Sequence, residues 1–431
     1  MIFDKDAHKK RMEWFVASRF GMFIHWGLYA IPSRGEWYRG SEKIETEDYM
    51  KYFEEFDPTE YDPKSWAKAA KEAGMKYAVL TAKHHDGFCL FDSKLTDFKA
   101  TNTPAKRDLL AEYVEAFRNE GLRVGVYYSI IDWHHPHYPH FEDSIHPRRG
   151  DERYRDYKYD FDKYLDYMHG QVKEICSNYG KIDILWFDYS YDKLCGEAWK
   201  ATKLIKMVRS LQPDVIIDNR LEGTTDSSLL TDTPNYYSGD FISPEQLLPP
   251  IGFFDDSGNR VPWEACVTMN DHWGHCSSDT NFKPSSMLIK KLVECVSKGG
   301  NLLLNVGPDA KGRIPEESLK CLADIGSWMK YNSAGIYNCG YCEMEKPEWG
   351  RITRNGDKLY LHVMEDSIGL MPVLGLDRSE IDRVRRLSDG SEVNIVSDWR
   401  TWHYKDVVFL DVGTNYSAPN KTHSVIEVTL L

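Results

Sequence analysis

The sequence predicts an α/β fold, a (β/α)8-like TIM barrel followed by a C-terminal antiparallel β-sandwich. Three observations carry this. Through the first three quarters of the 431 residues, short β-rich apolar runs alternate with helical patterns, the rhythm of repeated βα units. After residue 337 the texture becomes alternating short runs divided by turn signals. The length suits one large and one small domain, since a barrel alone commonly takes about 250 residues or more. The expected division is a barrel domain over 1–336 and a sandwich over 337–431.

The predicted strands are 20–26, 77–81, 123–129, 182–187, 214–218, 265–269 and 301–306. An eighth is not evident, which leaves room for irregularity in the ring. The clearest helix is expected over 158–179, where Phe161, Tyr164, Leu165, Met168, Val172, Ile175 and Tyr179 recur at three- and four-residue steps. Leu109, Leu110, Tyr113, Val114 and Phe117 form a second apolar face, ended by Gly121. A third helix is expected over 285–297, directly after Pro284. No GxGxxG follows the first strand, which weakens a dinucleotide-binding alternative. In the C-terminal part, LYLHVM, VNIVSDW, DVVFLDV and HSVIEVTLL read as sandwich strands.

Composition narrows the function. The hydrophobic fraction of 42% allows a sizeable core. A net charge of -13 argues against nucleic acid and anionic membranes, which need excess Lys and Arg, and favours a small neutral partner. Aromatic content of 13% fits core filling, and it also fits sugar sites, where a ring covers the C–H face of a pyranose. The nine cysteines are odd in number and scattered in spacing, so a reducing compartment is expected rather than a disulfide framework. No apolar signal segment is visible, so the chain reads as cytoplasmic, or as periplasmic or secreted if a signal peptide has been removed. Assembly into a homo-oligomer is left open.

Catalytic groups of a barrel project from the C-terminal strand ends. Here those ends carry His25, then His84 and His85, Tyr127, Trp186 with Asp188, and Arg220. Asp188 stands out because the buried run IDILWF delivers it directly into the barrel mouth. A carboxylate so placed can attack an anomeric carbon if a second carboxyl group protonates the leaving oxygen. Candidates for that partner are Asp240 in YYSGDF, Glu245 in SPEQ and Glu264 in PWEA. Adjacent strand residues face opposite sides, so His84 and His85 are poor co-ligands of one ion, and no HExxH is present; no metal or cofactor is expected. The absence of a GxSxG elbow leaves no support for a serine nucleophile.

The segments FGMFIHWG, KHHDGF, IDILWFDY, NDHWGH and GGNLLLNVGP together resemble the α-L-fucosidases of glycoside hydrolase family 29. The resemblance spans most of the first 335 residues and implies a barrel followed by a sandwich. It implies a retaining exo-α-L-fucosidase acting on fucosylated glycans, with Asp188 as nucleophile, although Tyr189 stands where a Gly is common. It further implies that His25, Glu36, Trp37, His84, His85 and Tyr127 bind fucose or line its pocket, that Trp186 and Trp273 enclose the sugar, and that Arg220 lies near the general acid. For the acid/base it ranks Asp240 first, Glu264 second and Glu245 third. The alternatives are an α-L-glycosidase acting on a related sugar such as L-galactose and a non-catalytic fucose-binding protein.

Overall fold

The computed structural model describes residues 3–223, 227–365, 369–413 and 424–431. Its framework is a curled parallel sheet built from β1 (Phe20–Ile24), β2 (Tyr77–Lys83), β3 (Arg123–Ser129), β4 (Ile184–Asp188) and β5 (Ile216–Ile217). After a short hairpin, β6 (Phe253–Phe254) with β7 (Arg260–Val261), come β8 (Glu264–Thr268) and β9 (Asn301–Val306). The order β5-β4-β3-β2-β1-β9-β8 leaves β5 and β8 as edges. The extended segment 241–245 fills the gap between them. It makes parallel bridges from Phe241 to Asp218 on one side, and from Ile242 to Trp263 and Glu245 to Cys266 on the other. This segment is the eighth stave, and it closes the barrel in chain order. Its brevity and the Pro at 244 are why no hydrophobic period betrays it in the sequence.

Alternation along each strand sorts side chains into two cores. Phe23, Tyr77, Val79, Tyr127, Ile184, Trp186, Phe241, Cys266 and Leu303 fill the barrel interior. Met22, Ile24, Leu80, Val126, Leu185 and Phe187 face outward against the helices. Both sides are apolar, which explains the continuous hydrophobic strand runs.

Helix α1 (Lys5–Ser18) precedes the barrel, and its Met12 and Phe15 join the interior core, plugging the end opposite the strand C-termini. Between β1 and β2 lie α2 (Tyr38–Ser41), α3 (Thr46–Glu55) and α4 (Pro63–Glu72). Then follow α5 (Leu109–Asn119), α6 (Phe161–Asn178), α7 (Ala201–Leu211), α8 (Ser285–Ser297) and α9 (Glu316–Asn332). Local signals set the boundaries. Asp108 and Asp160 accept from backbone N–H groups in the first turns of α5 and α6, so α6 begins at 161 rather than at the predicted 158. Helix α8 spans the predicted residues. No helix among the described residues is long and apolar enough to cross a membrane.

The C-terminal part consists of two antiparallel sheets over a separate core that includes Leu361, Met371, Leu410 and Val428. One, ordered β10-β11-β16-β13, contains β10 (Gly350–Asn355), β11 (Lys358–Val363), β13 (Ile381–Arg386) and β16 (Ser424–Leu430). The other, β12-β15-β14, contains β12 (Met371–Leu374), β14 (Asn394–Ile395) and β15 (Val407–Asp411). The predicted VNIVSDW run thus yields only a two-residue strand, because it turns away at Ser397 and Asp398. His423, at the start of the last predicted strand, lies outside the described residues.

Asp240, ranked first as acid/base from the sequence, turns out to anchor the eighth stave. Its carboxylate is fully buried; Oδ1 accepts from Arg11 Nε of α1 at 2.8 Å, and Oδ2 accepts from Arg209 of α7 at 2.7 Å and from the Ile217 amide at 2.8 Å. Burial alone would raise its pKa, but Arg209 and Arg11 hold it below the usual carboxylate range. Gly239 just before it approaches β5 so closely that a Cβ would sit 2.3 Å from the Asp218 carbonyl oxygen. Removing one partner of a buried ion pair leaves the other charges uncompensated. Asp240→Ala should therefore destabilise the fold by about 3–5 kcal/mol in chemical denaturation. A loss below about 1 kcal/mol, the range of a surface pair, would contradict this anchoring role.

Candidate active site

The strand C-termini open into a cavity of about 290 Å³, at the small end of ligand pockets, which suits one sugar ring rather than an oligosaccharide. The parity that sorts the barrel core also selects its lining. His25 continues the inward register of Phe23, and Asp188 that of Ile184 and Trp186. On β2 a register irregularity between Thr81 and Lys83 resets the alternation. His84 consequently faces the cavity, while Lys83 turns to the Ile131 carbonyl and Asp132.

Asp188 is mostly buried, its side chain 14% exposed. Oδ1 accepts from Arg220 Nη1 and from the Tyr189 amide, each at 2.9 Å, and Oδ2 accepts from the Tyr127 hydroxyl at 2.9 Å. Burial raises its pKa and the charge of Glu245 adds to this, while Arg220 and Tyr127 oppose the rise. Arg220 sits in the 3-10 turn Asn219–Leu221, whose first residues are capped by Asp218. Its Nε donates to Ser243 Oγ and its Nη2 to the Ser243 carbonyl, both at 3.2 Å, and the guanidinium lies over the Trp186 ring at 4.5 Å.

The same Nη1 that binds Asp188 lies 2.9 Å from Glu245 Oε2. The two carboxylate oxygens therefore stand no farther apart than twice that distance. That bound on one pair of oxygens is compatible with the spacing of about 5–5.5 Å between the carboxyl groups of retaining glycosidases. Glu245 is 42% exposed at the cavity rim, and its Oε1 accepts from Trp273 Nε1 at 3.2 Å.

The three acid/base candidates drawn from the sequence lie in different places. Asp240 lies at the far end of the stave in its arginine clamp and does not line the cavity. Glu264 points inward but stands at the start of β8, deep in the barrel, where it accepts a hydrogen bond from the Tyr77 hydroxyl. Only Glu245 of the three lines the cavity.

The sugar-binding candidates are brought together with one exception. His25, Glu36, Trp37, His84, Tyr127, Trp186, Arg220 and Trp273 all line the cavity. His85 does not; it stacks on Trp133 at 3.9 Å and backs Trp37, with ring centroids 4.9 Å apart. Asn305 fixes the tautomer of His25. Its Nδ2 donates to the Trp273 carbonyl, so its Oδ1 accepts, and His25 Nδ1 at 2.7 Å must be the donor. Nε2 is left as an acceptor, and burial lowers the ring's pKa to about 3, so the imidazole is neutral. Burial likewise pushes His84 well below its ordinary value. Glu36 Oε2 accepts from the Gly274 amide at 2.8 Å, and burial raises its pKa. Phe23, Ile145, Tyr191 and Cys266 also line the cavity and were not among the candidates. Strand parity could have found Phe23 and Cys266, whereas Ile145 and Tyr191 sit on loops without a sequence signal. Among the described residues no group of three His, Cys, Asp or Glu is arranged to hold a metal ion.

A closed barrel with two carboxylates sharing a guanidinium beside a sugar-sized, aromatic-walled cavity defines a glycoside hydrolase. Residues 3–334 match the family model described as Alpha-L-fucosidase, and the chain belongs to that family. It is 31% identical to the plasma alpha-L-fucosidase of Homo sapiens over 347 residues, covering 75% of this chain and 68% of that protein. Among solved structures, alpha-L-fucosidase isoenzyme 1 from Paenibacillus thiaminolyticus is 56% identical, with a TM-score of 0.96 and coverage of 99% and 100% of the two chains. A GH29 alpha-L-fucosidase from Bacteroides thetaiotaomicron, solved as a trapped covalent intermediate with 2-fluoro-fucosyl fluoride, is 29% identical with a TM-score of 0.84, covering 100% of this chain and 98% of that one.

Glu264 supplies a pH prediction. Burial pushes its pKa from 4.5 up to about 8, so the folded protein holds this proton more tightly than the unfolded chain does. The resulting stability is fully present below pH 4.5 and is lost as pH rises through about 8. Glu264→Gln removes this titration while keeping the shape. Between about pH 6 and 9 the melting temperature of the wild type should fall relative to that of the variant. Parallel curves would contradict the assignment.

Proposed function

We propose that the protein is a retaining exo-α-L-fucosidase in which Asp188 is the nucleophile and Glu245 the acid/base. The observation that carries this is the single Arg220 nitrogen 2.9 Å from both carboxylates at the barrel mouth. Asp188 attacks the anomeric carbon while the protonated Glu245 donates to the departing glycosidic oxygen. The fucosyl ester on Asp188 is then opened by water, whose proton passes to Glu245. Each displacement inverts the anomeric centre, so the product retains its configuration. Arg220 and the Tyr127 hydroxyl hold Asp188 ionised and aimed before attack.

The remaining walls fit fucose. Phe23, Trp186 and Trp273 give an apolar surface for the C5 methyl, and the extra hydroxyl of L-galactose would be desolvated there without a partner. The neutral imidazoles of His25 and His84, together with the Glu36 carboxyl group, offer acceptors and donors for the ring hydroxyls. The L-galactose and non-catalytic readings draw no support from the relatives named above. The cysteines, most of them buried, support a reducing compartment, and the aromatic walls support a neutral glycan as partner.

Azide separates the two carboxyl roles by stereochemistry. Asp188→Ala should abolish hydrolysis of an aryl α-L-fucoside and, with azide, form β-L-fucosyl azide by one inversion. Glu245→Ala should keep slow turnover of activated aryl fucosides and, with azide, form the α-L-azide by interception of the ester. Near-normal turnover by Asp188→Ala, or absence of azide product from Glu245→Ala, would overturn the respective role.

A further inference from the structure

The cavity has a buried floor and an unequal rim. Phe23, His25, Tyr127 and Trp186 at the floor are at most 4% exposed, so the sugar that reacts with Asp188 sits there. Whatever is attached to that sugar must leave through the rim. One side of the rim carries Glu245 and Trp273, which hydrogen-bond to one another. Another is an apolar arc of Trp37, Ile145, Tyr189 and Tyr191, all half-buried or exposed.

Two features show that this arc is held in place. The buried Asp143 accepts through one oxygen from the Tyr191 hydroxyl at 2.6 Å and from the Ile145 amide at 3.0 Å, tying the loop after β3 to the loop after β4. Tyr189 adopts φ +80°, a left-handed backbone conformation that an aromatic residue rarely takes and glycine takes freely. Its ring stands edge-on to Trp37, with centroids 5.9 Å apart and planes at 76°, and to His85 at 5.6 Å and 67°. A strained backbone persists where the surroundings over-determine it, and such strain concentrates at functional sites. Here the strain places an aromatic face at the pocket mouth where glycine would leave a gap.

The geometry points to a subsite for the leaving group, in which Tyr189, with Ile145 and Tyr191, receives the C–H face of the pyranose that carries the fucose. Tyr189 is thus a specificity-determining residue that favours fucosylated oligosaccharides over small leaving groups. Flat aromatic faces stack on the apolar face of a pyranose, and a preorganised wall loses little entropy on binding. The inference rests on the retaining fucosidase reading given above.

The experiment compares a fucosyl disaccharide with α-L-fucosyl fluoride, whose leaving group is too small to reach the arc. Tyr189→Gly should lower the ratio of kcat/KM for the disaccharide to that for the fluoride about tenfold, mainly through KM, as loss of one well-packed contact would. Glycine also relieves the strained φ, so the variant's melting temperature should equal or exceed that of the wild type. Ile145→Ala, remote in sequence from Asp188, should move the ratio in the same direction. Equal losses on both substrates would mean that Tyr189 acts only through Asp188 and would overturn the subsite, as would an unchanged ratio. Failure of the wild type to turn over the fluoride at all would instead sink the fucosidase reading.

Discussion

Two carboxylates facing one small cavity repel each other, and the site depends on the single guanidinium that holds them together. At an effective dielectric constant of about 20, unit charges 4 Å apart interact by about 4 kcal/mol, so a cation is needed to hold the site together whenever both carboxyl groups are ionised. Arg220 intervenes by placing one nitrogen 2.9 Å from both Asp188 and Glu245. Arginine suits the position because its planar fork uses its other donors elsewhere. Nε and Nη2 hold Ser243, two residues before Glu245, so the cation grips the stave that carries Glu245 and the strand that carries Asp188 at once.

That grip works because the eighth stave is short and tied at both ends. Asp240 immediately precedes it, clamped by arginines of α1 and α7, and Glu245 ends it at the mouth. Phe241 packs into the barrel interior and Ile242 into the layer outside, so alternation brings residues 241, 243 and 245 to the inward side. One carboxylate therefore stabilises the barrel and the other reaches its mouth, five residues apart. The stave carries no helix of its own before β8, only the β6–β7 hairpin, which is why barrel closure here relies on the charged anchor.

Much of this was legible in the sequence. The seven predicted strands occur close to their expected places because both faces of each are buried, giving continuous apolar runs that periodicity detects. Asp188 was found because it directly follows such a run. The eighth stave was not found: its two bridged sides offer no apolar run, and Pro244 breaks the pattern. Without the stave the sequence does not separate the acid candidates by place: in register, Glu245 falls on the inward side at its mouth end, and Asp240 lies just before its other end. His85 was misplaced for a related reason. Adjacent residues point opposite ways, and the register irregularity in β2 decides which of the two histidines reaches the cavity. Ile145 and Tyr191 come from loops whose positions are set by Asp143, a tertiary constraint that no local pattern reports.

In the proposed mechanism the carboxylate held by Arg220, Tyr127 and the Tyr189 amide is the one that bonds to the sugar. Covalent trapping tests this most directly. A 2-deoxy-2-fluoro-α-L-fucosyl fluoride should accumulate the glycosyl-enzyme, because the 2-fluorine slows both displacements while fluoride remains a good leaving group. Proteolysis and mass spectrometry of the trapped protein should place the fluorofucosyl mass on Asp188 alone. Modification of Glu245, Asp240 or Glu264 instead, or turnover of the reagent without any covalent adduct, would contradict the assignment.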